Sequence, residues 1–177
     1  MIPIGEILMK KIDRPVEYRI YKPYKDDQGA ASGFQMKITH DPEAKWNKRS
    51  VDLFWVATNQ VGINSDTKNP KFGWDDSSKT ATMKLGLMDV GELLLILQGK
   101  KEEVTLYHQN KHGNTIAKLK KAVTKSGPVL NFQMSSKRGD DLVKVAHNIS
   151  QGEAQVLTQL MKDFISSYHS WCQLEIF

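Results

Sequence analysis

His108 and His112 stand four residues apart, a spacing that on a helix lets two imidazoles share one metal ion. Here the segment reads as a strand end and a turn, and no third ligand lies nearby, so a solvated or partner-facing pair is the better reading. Asp26–Asp27, Asp75–Asp76 and Asp140–Asp141 are acidic pairs, but each falls in a turn with Gly or Ser, which needs no catalytic explanation. Cys172 is the single cysteine, which rules out an intrachain disulfide and fits a reducing compartment. Neither a preceding helix N-terminus nor a cationic neighbour marks it as reactive. No GxSxG, P-loop, GxGxxG or CxxC pattern occurs. The residues therefore predict no enzyme, no cofactor and no metal.

What remains is charge. Leu106–Val123 reads LYHQNKHGNTIAKLKKAV, with four lysines, two histidines and no acid. From Val104 to Gly139 no Asp or Glu occurs, while Lys111, Lys118, Lys120, Lys121, Lys125, Lys137 and Arg138 all do. The whole chain of 177 residues carries a formal net charge of +5, so much of the excess reads as uncompensated charge in this window. A basic surface suits a polyanionic partner. No apolar run approaches the ~20 residues of a membrane span. The opening MIPIGEILMKKI places Glu6 in its apolar part and its lysines after it, the reverse of a signal peptide. The expectation is a soluble intracellular protein, cytoplasmic or nucleoid-associated.

The elements that must position these cations are mostly strands. Tyr18–Tyr21, Gly33–Thr39, Val51–Thr58 and Thr80–Leu85 alternate or are apolar on both faces, and Asp89–Gln98 follows as an amphipathic helix between Asp89 and Gly99. Val104–Gln109, Thr115–Thr124, Val129–Ser135 and Leu142–Ala146 repeat the pattern, with breaks at NKHGN, KSGP and KRGDD. A second helix, Gly152–Ser170, follows, with Ser150 and Glu153 at capping-box spacing. The chain thus reads as four strands and a helix, twice: a first unit over 15–100 and a second over 101–177 within one domain. The segment Gln60–Ser78 reads as a long loop, of a length that is often functional.

Alternation assigns faces. Ala117, Leu119 and Val123 point one way and Lys118 and Lys120 the other; Tyr107, Asn131 and Gln133 face outward on the flanking strands. One aromatic, two cations and two amides on one face suit single-stranded nucleic acid. Cations neutralise phosphates, aromatic rings stack bases, and amides meet base edges. The competing reading is a solvated face whose lysines protect an edge; the missing acids favour the first, because a merely solvated face mixes signs. Lys121, Lys37, Lys84, Tyr21 and Trp74 join the candidates. Trp74 and Phe72 are read first as anchors of their loop. Phe34, Trp55, Phe132 and Phe164 read as core.

WDDSSKTATMKLGLMDVGELLLIL, VTLYHQN, NTIAKLKKAV, LNFQMSSKR and the closing helix with Trp171 fall in the order and spacing of the Whirly single-stranded-DNA-binding proteins, which the chain resembles over about 100 residues from Trp74 onward. The single unit occurs in transcriptional positive cofactor four, and the kinetoplastid RNA-matchmaking proteins share the double form. The lysine-glycine-lysine-alanine motif of plant Whirly proteins is absent; RIYKPYKDD stands there. The resemblance implies an α+β fold of two ββββα repeats, with two antiparallel four-stranded sheets packed crosswise and two helices. It also implies single-stranded DNA as partner, with RNA as the alternative, and a tetramer with bundled helices.

The closing helix supports self-association on its own residues. Val156–Leu160–Phe164–Tyr168 and Leu157–Met161–Ile165 form two apolar rows, and Trp171, Leu174, Ile176 and Phe177 follow. One row covers a sheet, and the second calls for a partner. The expectation is a homo-oligomer, a tetramer before a dimer. A basic protein-interaction module that binds no nucleic acid is the remaining alternative.

Overall fold

A computed structural model describes residues 16–25, 28–40, 49–111 and 113–173. In chain order these form β1 (Val16–Lys22), β2 (Ala30–His40), β3 (Arg49–Ile63), β4 (Pro70–Phe72), β5 (Thr80–Leu85), α1 (Leu87–Leu97), β6 (Glu103–Asn110), β7 (Gly113–Thr124), β8 (Gly127–Arg138), β9 (Asp141–Ser150) and α2 (Gln151–Gln173). All pairings are antiparallel. The first sheet runs β1-β2-β3 with β4 and β5 beyond; the second runs β6-β7-β8-β9. β5 pairs with Leu53–Thr58 and β4 with Gln60–Ile63 along one edge of β3, so the first sheet is also four strands wide.

The loop expected at Gln60–Ser78 is therefore largely a hairpin. β3 runs on to Ile63 and returns as β4. Asn64 makes the turn, its Oδ1 accepting the N–H groups of Asp66 and Thr67 at 2.9 and 3.0 Å, a local bond that Asn is suited to make. Pro70 concealed the strand from the sequence, but it starts an edge strand, where a missing N–H is tolerated.

One core joins the two sheets. Residues of even number on β2 and odd number on β3 and β5 face inward, so Phe34, Trp55 and Met83 share a cross-strand row. Phe34 stacks on Trp55 (centroids 4.8 Å apart), Trp55 on Phe132 of β8 (4.5 Å), and Phe132 meets His147 of β9 (4.9 Å). This four-ring column crosses from one sheet to the other. His147 Nε2 lies 2.9 Å from the Oγ of buried Ser32, so a hydrogen bond ties β9 to β2 at the column's end. A second polar tie links Thr115 Oγ1 to the carbonyl of Thr82 and to Ser136 Oγ.

The helices are capped as their sequences dictate. α1 begins two residues before Asp89, at Leu87; Asp89 is its third residue, and its carboxylate accepts the N–H of Gly86 at 2.8 Å. Gly99 ends α1 with φ +78°, a conformation that favours glycine. At α2, Ser150 N–H donates to Glu153 and Glu153 N–H returns to Ser150 Oγ, as the spacing predicts. Lys22 of β1 adds an ion pair of 2.7 Å to Glu153. Burial opposes ionisation there, but the bonds from Lys22 and Ser150 outweigh it and lower the pKa of the carboxyl.

α2 buries Leu157, Met161 and Phe164 against α1 and β3. Phe164 thus belongs to the protomer's own core, as does α1's apolar face, and the two rows of α2 are not equivalent. Val156 stays 46% exposed. Among the described residues no helix is long and apolar enough to cross a membrane. His112, Asp26, Asp27, Leu174, Ile176, Phe177 and the opening segment lie outside the described residues, as do the side chains of Trp171 and Cys172.

Burial holds the imidazole of His147 neutral, lowering its pKa from 6.5 to about 4. The unfolded chain takes up that proton near its ordinary pKa. Stability is therefore full above pH 6.5 and declines as pH falls toward about 4, by roughly 3 kcal/mol from this group. Urea unfolding at pH 7.5 and 4.5 measures it: His147→Gln should lose much less stability between the two than the unaltered chain. Equal losses would show that the imidazole is not the titrating group.

Candidate nucleic-acid interface

The outer face of the second sheet gathers five of the residues singled out from the sequence. Register aligns Thr105, Lys118, Gln133 and Ala146 in one row and Glu103, Lys120, Asn131 and Asn148 in the next. On the other side of the first row run Tyr107, Ile116, Ser135 and Lys144, then Gln109, Asn114, Lys137 and Leu142. The reason is the alternation of β7 and β8: Ala117, Leu119, Phe132 and Met134 are buried, which sends their neighbours out.

Tyr107 is 55% exposed, and its hydroxyl donates to Gln109 Oε1 at 3.1 Å, which holds the ring against Ile116 opposite. The amides form a chain: Gln133 Nε2 donates to Asn131 Oδ1 (2.9 Å), and Asn131 Nδ2 donates to Asn148 Oδ1 (3.1 Å). Each amide keeps further donor or acceptor capacity toward solvent.

The cations are not uncompensated. Glu103 and Glu102 lie just before the acid-free window, and the hairpin folds them onto it. Lys118 Nζ lies 2.7 Å and Lys120 Nζ 3.8 Å from Glu103. The bond from Lys118 holds the Glu103 carboxyl below the usual range. Lys121 is off this face altogether: its ammonium donates to Glu102 (2.6 Å) and to the carbonyl of Gly99 (2.9 Å), behind the end of α1.

The other candidates lie on the outer face of the first sheet. Arg19 packs over the Trp74 ring at 4.6 Å from its centroid, a cation–π contact. Tyr21 lies against Phe72 and edge-on to Trp74 (5.3 and 6.1 Å). Trp74 and Phe72 thus anchor the β4–β5 segment onto the sheet, as read from the sequence, and Tyr21 remains 46% exposed. Gly33 makes room: a Cβ there would meet Arg19 Cγ at 3.1 Å. Lys84 is paired with Asp52 at 2.8 Å, and exposed Lys37 stands beside Asp52 in register. The predicted set is therefore split between two faces that look away from a common core.

Sequence reading missed Ile116, Lys137, Lys144 and Asn148 on the second face. The expected strand ended at Ala146, whereas β9 reaches Ser150, and the alternation of DLVKVAHNIS would have placed Lys144 and Asn148 outward. Among the described residues neither Lys137 nor Lys144 makes an ion pair, and no three His, Cys, Asp or Glu side chains could hold a metal ion together; His108 instead sits 3.0 Å from Asp89.

Neither a protein-family model nor a curated protein matches the sequence. Solved structures do match the fold. The plant transcriptional regulator PBF-2 aligns over 90% of this chain and 85% of its own, with 13% identity and a TM-score of 0.64. WHY3 from Arabidopsis thaliana aligns over 90% and 91%, with 14% identity and a TM-score of 0.63. The chain has the Whirly fold. A guide-RNA-binding protein complex bound to a guide RNA also shares it, over 89% and 94%, with 11% identity and a TM-score of 0.59. At these identities the likeness is one of fold; in this chain the outer face of the second sheet brings exposed Tyr107, amides and cations together.

Glu103 gives this face a measurable signature. Glu103→Gln removes the charge that occupies both ammonium groups, so acylation of Lys118 and Lys120 should speed up, Lys118 more because its contact is shorter. Peptide mass spectrometry after brief labelling reads both rates, with Lys144 as the unpaired control. Unchanged rates at Lys118 would mean that the pairing does not persist in solution.

Proposed function

We propose that the outer face of the second sheet binds single-stranded nucleic acid with little base preference, with single-stranded DNA as the first choice. The observation that carries the reading is the exposed Tyr107 row lying directly beside the Lys118 row, with the Lys120 row next beyond it and an amide chain running from Gln133 through Asn131 to Asn148 of β9. A ring stacks on any base, and an ammonium reads a phosphate without reading sequence. The fold is shared with a transcriptional regulator and with a protein complex bound to guide RNA, which supports the same ligand class. Sequence-tolerant strand binding suits DNA replication, recombination, repair or transcription. The first-sheet residues Tyr21, Trp74, Lys37 and Lys84 form a secondary surface in this proposal.

A strand on this face takes Lys118 and Lys120 from Glu103, and Lys144 adds an unpaired cation. Three neutralised phosphates give a slope of about −2 in log K against log salt. In a salt series with single-stranded DNA, Lys118→Ala with Lys120→Ala should flatten that slope by roughly 1.4. Tyr107→Ala should weaken binding by about 1–3 kcal/mol with the slope unchanged. Glu103→Gln should strengthen it. Duplex DNA and RNA of equal length are the comparators. Preferential duplex binding, or no binding at low salt, sinks the proposal; tighter RNA binding moves the ligand to RNA.

The same reading includes a homo-oligomer, a tetramer before a dimer. Val156 is exposed on α2, and Leu160 one turn on is only partly buried where it packs against the core. Packing that strip between copies leaves both sheets free. Light scattering should give a multiple of 20.1 kDa that Val156→Asp reduces to the monomer mass while the fold persists. A concentration-independent monomer would exclude the assembly.

A further inference from the structure

The second sheet does not end in a blunt edge. At the end where β6 joins β7 and β8 joins β9, β5 of the first sheet leans against it, and a groove of about 340 Å³ opens between Thr82 on one side and Gly113, Asn114, Thr115, Ser136, Lys137 and Arg138 on the other. A smaller depression of about 90 Å³ adjoins it, sharing Ser136 and Arg138 and reaching Ser77, Ser78 and Asp141. The floor is hydroxyl: Thr115 and Ser136 are buried and hydrogen-bonded to each other, and the Thr115 hydroxyl also donates to the Thr82 carbonyl, which fixes the pair in place. The rim is cationic. Arg138 Nη1 donates to the carbonyl of Ser77 at 3.2 Å, which braces the guanidinium while the rest of its fork stays open. Lys137 makes no ion pair among the described residues. Asp141 is the one acid among the lining residues, and it lines the smaller depression and not the larger.

The groove exists because position 113 is glycine. Its φ is +154°, and a Cβ there would stand 1.8 Å from the Lys137 carbonyl oxygen. Only glycine lets the β6–β7 turn lie this close to β8, with Asn114 and Lys137 side by side at the rim.

We propose that this groove is a phosphate-bearing site that takes one nucleotide of a strand leaving the outer face of the second sheet. The inference rests on the binding function proposed above and extends it. Asn114 and Lys137 occupy the last row of that face, four residues along β7 from Lys118, or roughly 13 Å. A strand that follows Lys118, Tyr107 and Lys144 therefore arrives at Lys137 and turns over the rim beneath Arg138. A braced guanidinium offers a fork that matches two phosphate oxygens, and the groove volume admits a nucleotide rather than a bare ion.

The test separates this site from the face that feeds it. Oligothymidylates from about 4 to about 16 nucleotides span the footprints of single-strand-binding domains. Binding of each is measured to the unaltered chain, to Lys137→Ala with Arg138→Ala, and to Lys137→Glu, whose exposed side chain holds no partner in the fold. The expected result is the smallest loss for the shortest oligonucleotides that bind, which need not reach Lys137. The long ones should weaken by tenfold or more, and their salt slope should flatten by about 1.4 for the double variant. Thymidine monophosphate alone should compete only at far higher concentration than the long strands. Equal losses at every length, or no loss at any length, would overturn the groove while leaving the face in place. A chain that binds no oligonucleotide at all fails the earlier proposal, and a free nucleotide that competes as well as a strand reassigns the groove to nucleotides.

Discussion

Trp55 stacks between Phe34 and Phe132, and everything else in the molecule is placed relative to that contact. It is the point where two sheets of different chain segments become one body. The indole lies on the central strand of the first sheet, fully buried, with its N–H meeting no acceptor among the described residues. Leaving such a donor unpaired costs about 1–3 kcal/mol, which the surface buried by the ring and its two stacked neighbours must exceed. The column ends in His147, where the contact becomes polar, and Ser32 receives it. With the inner faces packed in this way, the alternation of each strand fixes which residues look outward.

Much of this was legible in the chain. β8 and the middle of β7 alternate, and most of their faces follow from residue type, but Val123, read as inward, is 84% exposed near the end of β7, and Ile116 faces outward despite its apolar side chain; the capping box at Ser150 and the glycine after α1 fix helix ends by local chemistry. What was not legible depended on contacts distant in sequence. β3 reads as a buried strand because it is apolar on both sides. On the outer face of the first sheet Phe72 and Trp74 return from β4 to meet Tyr21 and Arg19, on a segment whose turn residues gave no strand signal. The end of β9 was missed because His147 and Asn148 look like a break until Ser32 and Asn131 are seen to receive them.

The candidate site was half legible for the same reason. Tyr107, Lys118, Lys120, Asn131 and Gln133 share a face because three neighbouring strands alternate in phase. Their charge state did not follow, because an acid-free window in sequence is not an acid-free patch in space. Glu103 precedes the window by one residue, yet register sets it opposite Lys120. Lys121 follows Lys120 by one residue and so points to the other side, where the carbonyl of Gly99 takes it. The pairing with Glu103 competes with any anion that approaches Lys118 and Lys120, and salt weakens both contacts.

The shared core has a consequence for valency. Since both sheets turn their inner faces to the same column of rings, the Tyr21–Trp74–Arg19 cluster and the Tyr107–Lys118 surface look in opposite directions, and no short ligand touches both at once. Under the binding proposed above, one copy would offer two separate landing places, each too far from the other to share a side chain. An assembly of the proposed kind would then multiply sites rather than enlarge one, and a long polymer held at several of them would dissociate by steps, each release leaving the neighbouring contacts to guide the loose segment back.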